Sequence, residues 1–243
     1  MISLNLNFLE LSLKLLFKFT KRKLLLFLIS LLIINKSLNT IIAENNEILI
    51  KGSNIDFILR LLKKADKRNA PKIVINKDRS KSIIYKKNNY QKTLSQKELL
   101  YLIKNPESYL YEEKFIKETL NFLNNLGISL ILTDFQKEHG SAYWLPINKL
   151  IKIDKKAINS GSLTFARILN HEMIHIAQSC KGGSINSIPE LIGINEKMNE
   201  EKHILLKSKV YKNLSKYEIS LEKEAYSYQD NLSAGKYLIK KFC

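Results

Sequence analysis

Residues that staple or interrupt a fold are scarce in this 243-residue chain, which has two Cys, four Pro, eight Gly, one Trp and four His. There is no internal repeat and no low-complexity linker. Neither a solenoid nor a string of tethered domains is therefore expected. Two cysteines, Cys180 and Cys243, allow at most one disulfide. Arginine is rare as well: of 40 basic residues only five are Arg, and acidic residues number 23, leaving a net charge of +17. Such a surplus can favour anionic lipid, nucleic acid or acidic polymer. Yet a composition rich in Lys, Asn and Ile is also what an AT-rich genome supplies without selection for a partner. No basic run interleaves with aromatic residues, so no specific nucleic-acid partner is expected.

Long apolar runs are missing too. The longest uncharged apolar stretch, residues 24–34, has eleven residues, whereas a bilayer core of about 30 Å needs roughly twenty. What is present instead is an ordered series: Lys21, Arg22 and Lys23, then the apolar run, then Ile41, Ile42 and the small Ala43. Basic, apolar and small-residue regions in that order make a secretory signal. Extending the run to Ala43 buries Lys36, which keeps an uncleaved signal anchor, and membrane attachment through residues 24–43, as the alternative. Export to a periplasmic or extracellular location follows in either case. Residues 1–43 carry six basic residues and one acidic residue, so the remaining 44–243 stretch keeps +12 and is long enough for one domain with its own core.

The chemistry lies further on. His171, Glu172, Met173, Ile174 and His175 form an H-E-x-x-H motif that takes two of the four histidines. Two histidines four apart on a helix lie on one face and can reach a single metal ion, with Glu172 beside them as a general base. Phe165, Ile168, Leu169, Met173 and Ile176 recur at helical spacing, giving the segment a buried side. Gly161 and Ser162 precede it as a break and an N-cap hydroxyl. An ordinary buried helix with polar-paired histidines is the competing account. It is disfavoured because His and Glu on an apolar helix are expensive to bury without a metal.

Catalytic zinc takes three protein ligands and one open position. The extended metzincin form needs Gly at position 178 and His at 181, and the chain has Gln178 and Lys181. Downstream, Glu222, Glu224, Ala225 and Tyr226 resemble the gluzincin pattern E-x-x-A-[D/N/Y]. The chain thus resembles a zincin-type, gluzincin-like metallopeptidase over roughly residues 128–230. The resemblance implies an α+β fold: a small mixed or antiparallel sheet packed on the H-E-x-x-H helix, followed by a helix carrying a Glu ligand. It also implies one Zn²⁺ per chain held by His171, His175 and Glu222, with Glu224 in reserve, and a peptide or protein substrate. Water activated by that zinc would be deprotonated by Glu172. A Tyr or His is expected to stabilise the oxyanion, and His203, Tyr211, Tyr217 and Tyr226 are the candidates. An edge strand that binds extended substrate is expected at Ala142, Tyr143 and Trp144, whose rings serve equally well as packing.

The rest of the chain gives organisation. Helices are expected over residues 54–67, 95–104 and 109–126, the last capped by Gly127, with a strand pair at 72–76 and 82–85. Strands are expected at 128–133, 140–144 and 150–154. This divides 44–243 into a mainly helical part to residue 127 and a catalytic part from 128 onward. Cys180 and Cys243 are candidates for a disulfide, with a free buried Cys180 as the alternative. Two other functions remain: a non-catalytic exported module on the same fold, and a basic membrane-surface binding protein.

Overall fold

The aliphatic runs fold as strands and the amphipathic ones as helices. The computed structural model describes residues 47–86, 93–135, 140–194 and 198–243. The expected signal at 1–43 and His139 lie outside the described residues. A four-stranded sheet contains β1 (Ile48–Ile50), β4 (Ser129–Thr133), β5 (Ala142–Leu145) and β6 (Leu150–Asp154) in the order β1-β4-β6-β5. It is mixed: β4 runs parallel to β6, and both outer pairings are antiparallel. Leu130, Leu132, Ile151 and Ile153 point to one face and are fully or almost fully buried. Strict alternation of this kind is what a sheet with one covered face requires. The segment predicted as a strand pair forms a separate hairpin, β2 (Lys72–Ile75) with β3 (Lys81–Ile84).

Helices cover the buried face. They are α1 (Ile55–Asn69), α2 (Gln96–Lys104), α3 (Leu110–Asn125), α4 (Ser162–Lys181), α5 (Glu200–Leu206), α6 (Lys216–Tyr228) and α7 (Ala234–Phe242). The fold is thus α+β. Gly127, at φ +72°, closes α3: its N–H reaches Asn124 and that of Ile128 reaches Leu123, a Schellman-type C-terminus. The residues from Glu47 to Cys243 form one compact unit. Among the described residues no helix is long and apolar enough to cross a membrane.

The central element is α4. Phe165, Ala166, Leu169, Met173, Ile174, Ile176 and Ala177 are completely buried, so the helix is enclosed on nearly every side. Its start differs from the sequence expectation. Ser162 is the first helical residue rather than the N-cap, and the capping oxygens come from α1. Asp66 accepts from the Ser162 N–H at 2.8 Å and from its hydroxyl at 2.6 Å. A carboxylate at a helix N-terminus satisfies orphan amides and favours the macrodipole. Gly161, at φ +92°, leaves space for it, since a Cβ there would lie 2.2 Å from Asp66 Oδ1. At its other side α4 meets α7, where Gly235 faces it: a Cβ at that position would come within 2.6 Å of Met173 Cβ.

A helix buried this completely must account for its polar side chains. Asn170 donates to the carbonyls of Tyr228, Gln229 and Asn231 and accepts from Gly235 N–H, which ties the end of α6 to the start of α7. Ser179 accepts a 2.9 Å bond from the Trp144 indole. A disulfide joins Cys180 to Cys243, with Cα atoms 5.0 Å apart, pinning the end of α7 to the end of α4. The remaining buried polar groups of α4 converge on one place.

Candidate metal centre

Three side chains from two helices meet. His171 and His175 are one turn apart on α4, and their Nε2 atoms lie 3.1 Å from each other. Glu222, on α6, places Oε2 3.2 Å from His171 Nε2 and Oε1 3.4 Å from His175 Nε2. The helix bearing it is fixed at its start by a capping box between Ser215 and Glu218. One ligand atom from each of His171, His175 and Glu222 can be chosen so that all lie within 4.8 Å, and among the described residues this is the group able to hold a metal ion. Around a tetrahedral ion with bonds near 2.1 Å, ligand atoms sit about 3.4 Å apart. The separations of 3.1–3.4 Å lie near that value, the two glutamate distances being to different carboxylate oxygens.

Electrostatics tell the same story. Burial opposes charge on Glu222, but the facing imidazoles of His175 and His171 outweigh it and hold the carboxylate far below its usual range. Burial likewise opposes charge on His175, and the adjoining Glu222 overcomes it, lifting the imidazole to about 9. At neutral pH the His175 imidazole is therefore held in its protonated form. Glu172 is almost wholly enclosed, and burial is the main cause that raises its carboxyl. The neighbouring His175 and His171 oppose that rise, as does a hydrogen bond from the backbone N–H of Trp144 to the carboxylate. Glu172 Oε2 and His171 Nδ1 are buried without a hydrogen-bond partner. A buried carboxylate oxygen without a hydrogen-bond partner is available for chemistry.

Two tyrosines border the cluster. The Tyr226 ring packs edge-on against His171, centroids 4.5 Å apart, and its hydroxyl shares a 2.5 Å hydrogen bond with Tyr211. Burial, then the neighbouring Tyr226 and Glu222, keep the Tyr211 phenol protonated. Tyr217 and His203 do not join them. Tyr217 is exposed and reaches the Pro189 carbonyl at 3.4 Å, and His203 sits exposed on α5. Both lie on the outer side of their helices, which spacing alone could not reveal.

Glu224 is excluded from ligation by its own bonds. It accepts from the amides of Ile192, Gly193 and Ile194 and from the Gln178 side chain, all between 2.7 and 3.2 Å. Two residues along a helix is a turn of about 200°, so Glu222 and Glu224 face different ways. Gln178 itself was not anticipated. Its Oε1 lies 2.7 Å from His175 Nδ1, one turn further along the same helix face. The clue in the sequence is a polar residue at i+3 from the second histidine, directed inward on a buried helix.

The candidate substrate strand β5 is the outer strand of the sheet beside α4. The Asp154 N–H bonds the Ser141 carbonyl, and pairing alternates from there. Tyr143 and Leu145 therefore bond β6, while the main-chain groups of Ala142 and Trp144 point away from it, the Trp144 N–H towards Glu172. The Trp144 ring is packing, held by Ser179, and Tyr143 stacks on Phe135 at 5.1 Å.

Residues 133–243, which run from the end of β4 through every residue of this cluster, match a family described as Domain of unknown function (DUF8637). No curated protein and no solved structure matches the chain.

Proposed function

We propose that this protein is an exported, zinc-dependent peptidase of gluzincin-like type. The observation that carries the proposal is the position of Glu222. A glutamate from a second helix stands 3.2–3.4 Å from both histidines of the H-E-x-x-H helix, and Oε2 of the buried Glu172 between them in sequence has no hydrogen-bond partner. Two imidazoles and one carboxylate are the donor set of a catalytic rather than a structural zinc site, because a fourth position stays open. Zinc there would supply Lewis acidity, acidifying water and polarising the scissile carbonyl.

The chain's own residues account for the other parts of an amide hydrolysis. Glu172 accepts a proton from the attacking water and delivers it to the departing amine, a role suited to a carboxylate in an enclosed setting. Tyr211 and Tyr226, whose hydroxyls bond each other beside His171, are the candidate donors to an oxyanion. The main-chain groups of Ala142 on the free edge of β5 are suited to align an extended peptide by strand addition. Export is supported by the basic-apolar-small series at the N-terminus and by the Cys180–Cys243 disulfide, a bond that persists in oxidising compartments. A peptide or protein substrate fits an edge strand better than a compact small molecule does.

The test is metal content by elemental analysis of purified protein. About one zinc per chain is expected, lost in His171→Ala and Glu222→Ala. Folded protein that takes up no zinc when reloaded would refute the proposal and leave a binding module as the better description.

A further inference from the structure

Gln178 and Glu224 form a second layer that reaches His175 from behind. The Gln178 Nε2 group donates to the Leu221 carbonyl and to Glu224 Oε2, both at 3.0 Å. Those partners only accept, so the amide has a single workable orientation. Its Oε1 must then face His175 Nδ1, 2.7 Å away, and it can only accept there. His175 is thereby obliged to carry a proton on Nδ1 and to present Nε2 towards Glu222 and His171. Glu224 holds the arrangement from the far end, its two oxygens filled by Gln178 and by three successive loop amides. Gln178 and Glu224 are each at most 3% exposed. His171 has no such support, its Nδ1 being without a partner.

We propose that Gln178 and Glu224 are positioning residues which fix the tautomer and ring orientation of His175 for metal binding, an inference that rests on the zinc site proposed above. A neutral amide in this role sets the tautomer without adding a second negative charge beside Glu222. The carboxylate behind it anchors the loop at residues 192–194 and α6 to the same point, so Glu222 and His175 are aligned by one shared network.

The test compares zinc affinity, by chelator competition on the full-length chain, in wild type, Gln178→Met and Glu224→Gln. Imidazole ¹⁵N shifts of His175 are recorded on the zinc-loaded proteins. Gln178→Met keeps an unbranched side chain of similar length but removes the acceptor. It is expected to weaken zinc binding 10- to 100-fold and to move the Nδ1 resonance of His175 while that of His171 stays. Glu224→Gln retains an oxygen for the loop amides and should shift both readouts the same way by less. It serves as the deciding variant if Gln178→Met does not fold. Wild-type affinity and unchanged His175 shifts in a folded variant would overturn the positioning role while leaving the zinc site standing. Absence of zinc binding in wild type itself would overturn the site and the relay together.

Discussion

Glu222 Oε2 lies 3.2 Å from His171 Nε2 although 51 residues separate them in the chain. That contact turns a helix motif into a group of three side chains able to hold a metal ion, and it makes the two neighbouring glutamates separable by experiment. Glu222→Gln should lower zinc affinity by at least two orders of magnitude, since it removes the only charged ligand, while the thermal midpoint of the metal-free protein falls modestly. Glu224→Ala should weaken zinc binding less, within the 10- to 100-fold of a positioning residue, and destabilise the fold more. It strands three loop amides and the Gln178 amide, so unfolding should be eased by several kcal/mol, the range for breaking a buried hydrogen-bonded charge. Equal metal loss and equal destabilisation in the two variants would show that the pair has been assigned wrongly.

Glu172, between the two histidines in the chain, has a buried oxygen, Oε2, without a hydrogen-bond partner. Glu172→Gln should keep zinc content near one per chain and reduce turnover of a peptide substrate by 10²–10⁴-fold, the usual weight of a general base. Removing a buried carboxylate with a raised pKa also relieves a desolvation cost. The variant should therefore be at least as stable as wild type in thermal melts. A variant with full activity would remove Glu172 from the mechanism.

Acidity and metal compete for the same place. In metal-free protein the His175 imidazole stays protonated up to about 9, above its ordinary 6.5, because Glu222 beside it outweighs burial. A raised pKa of this kind contributes stability that is complete below about 6.5 and is lost as pH climbs through 9. Glu222, held far below its usual range, contributes stability that is present above about 4.5 and is lost on acidification. Metal-free protein should thus melt highest between roughly pH 4.5 and 6.5 and lose stability steadily towards pH 10. Zinc replaces the proton, so loading at pH 7 should release protons into a weakly buffered solution, and loaded protein should lose the alkaline decline. A flat pH profile without metal would contradict this coupling.

Much of the frame could be read in the residues. The strands at 129–133 and 150–154 and the helices from Ile55 and Leu110 follow from period and caps, which are local. Glu222 is legible in a short pattern around Ala225, and the structure brings it to the histidines. What could not be read depends on packing. The Asp66 cap reaches α4 from 96 residues away. The direction of Tyr211 as against Tyr217 depends on how the segment before α6 turns. The second layer at Gln178 needs knowledge of which helix stands behind it, since an i+3 glutamine on a surface helix would simply face water. Short strand β1 and helix α7 went unnoticed because each is stabilised by what it packs on, not by its own sequence.

The disulfide joins these threads. Cys180 follows Gln178 by two residues, and Cys243 ends α7, the helix packed on α4 through Gly235. Closing a loop with a sequence separation of 63 residues is worth about 4 kcal/mol in the chain-entropy account. For a domain of this size that amounts to a fall of roughly 10 °C in melting temperature when it is broken. Cys243→Ser should therefore lower the thermal midpoint by about that much. Because the loosened end of α4 also carries Gln178, zinc affinity should drop as well, though less than in Gln178→Met. Asn170 and Met173, further up α4, lie directly against Gly235 of α7. Gly235→Ala should reach the same outcome by a different route, pushing α7 off the helix and lowering both stability and affinity with the disulfide intact. If Cys243→Ser melts as wild type does, then the covalent link is dispensable and the α4–α7 packing alone holds the end of the motif helix.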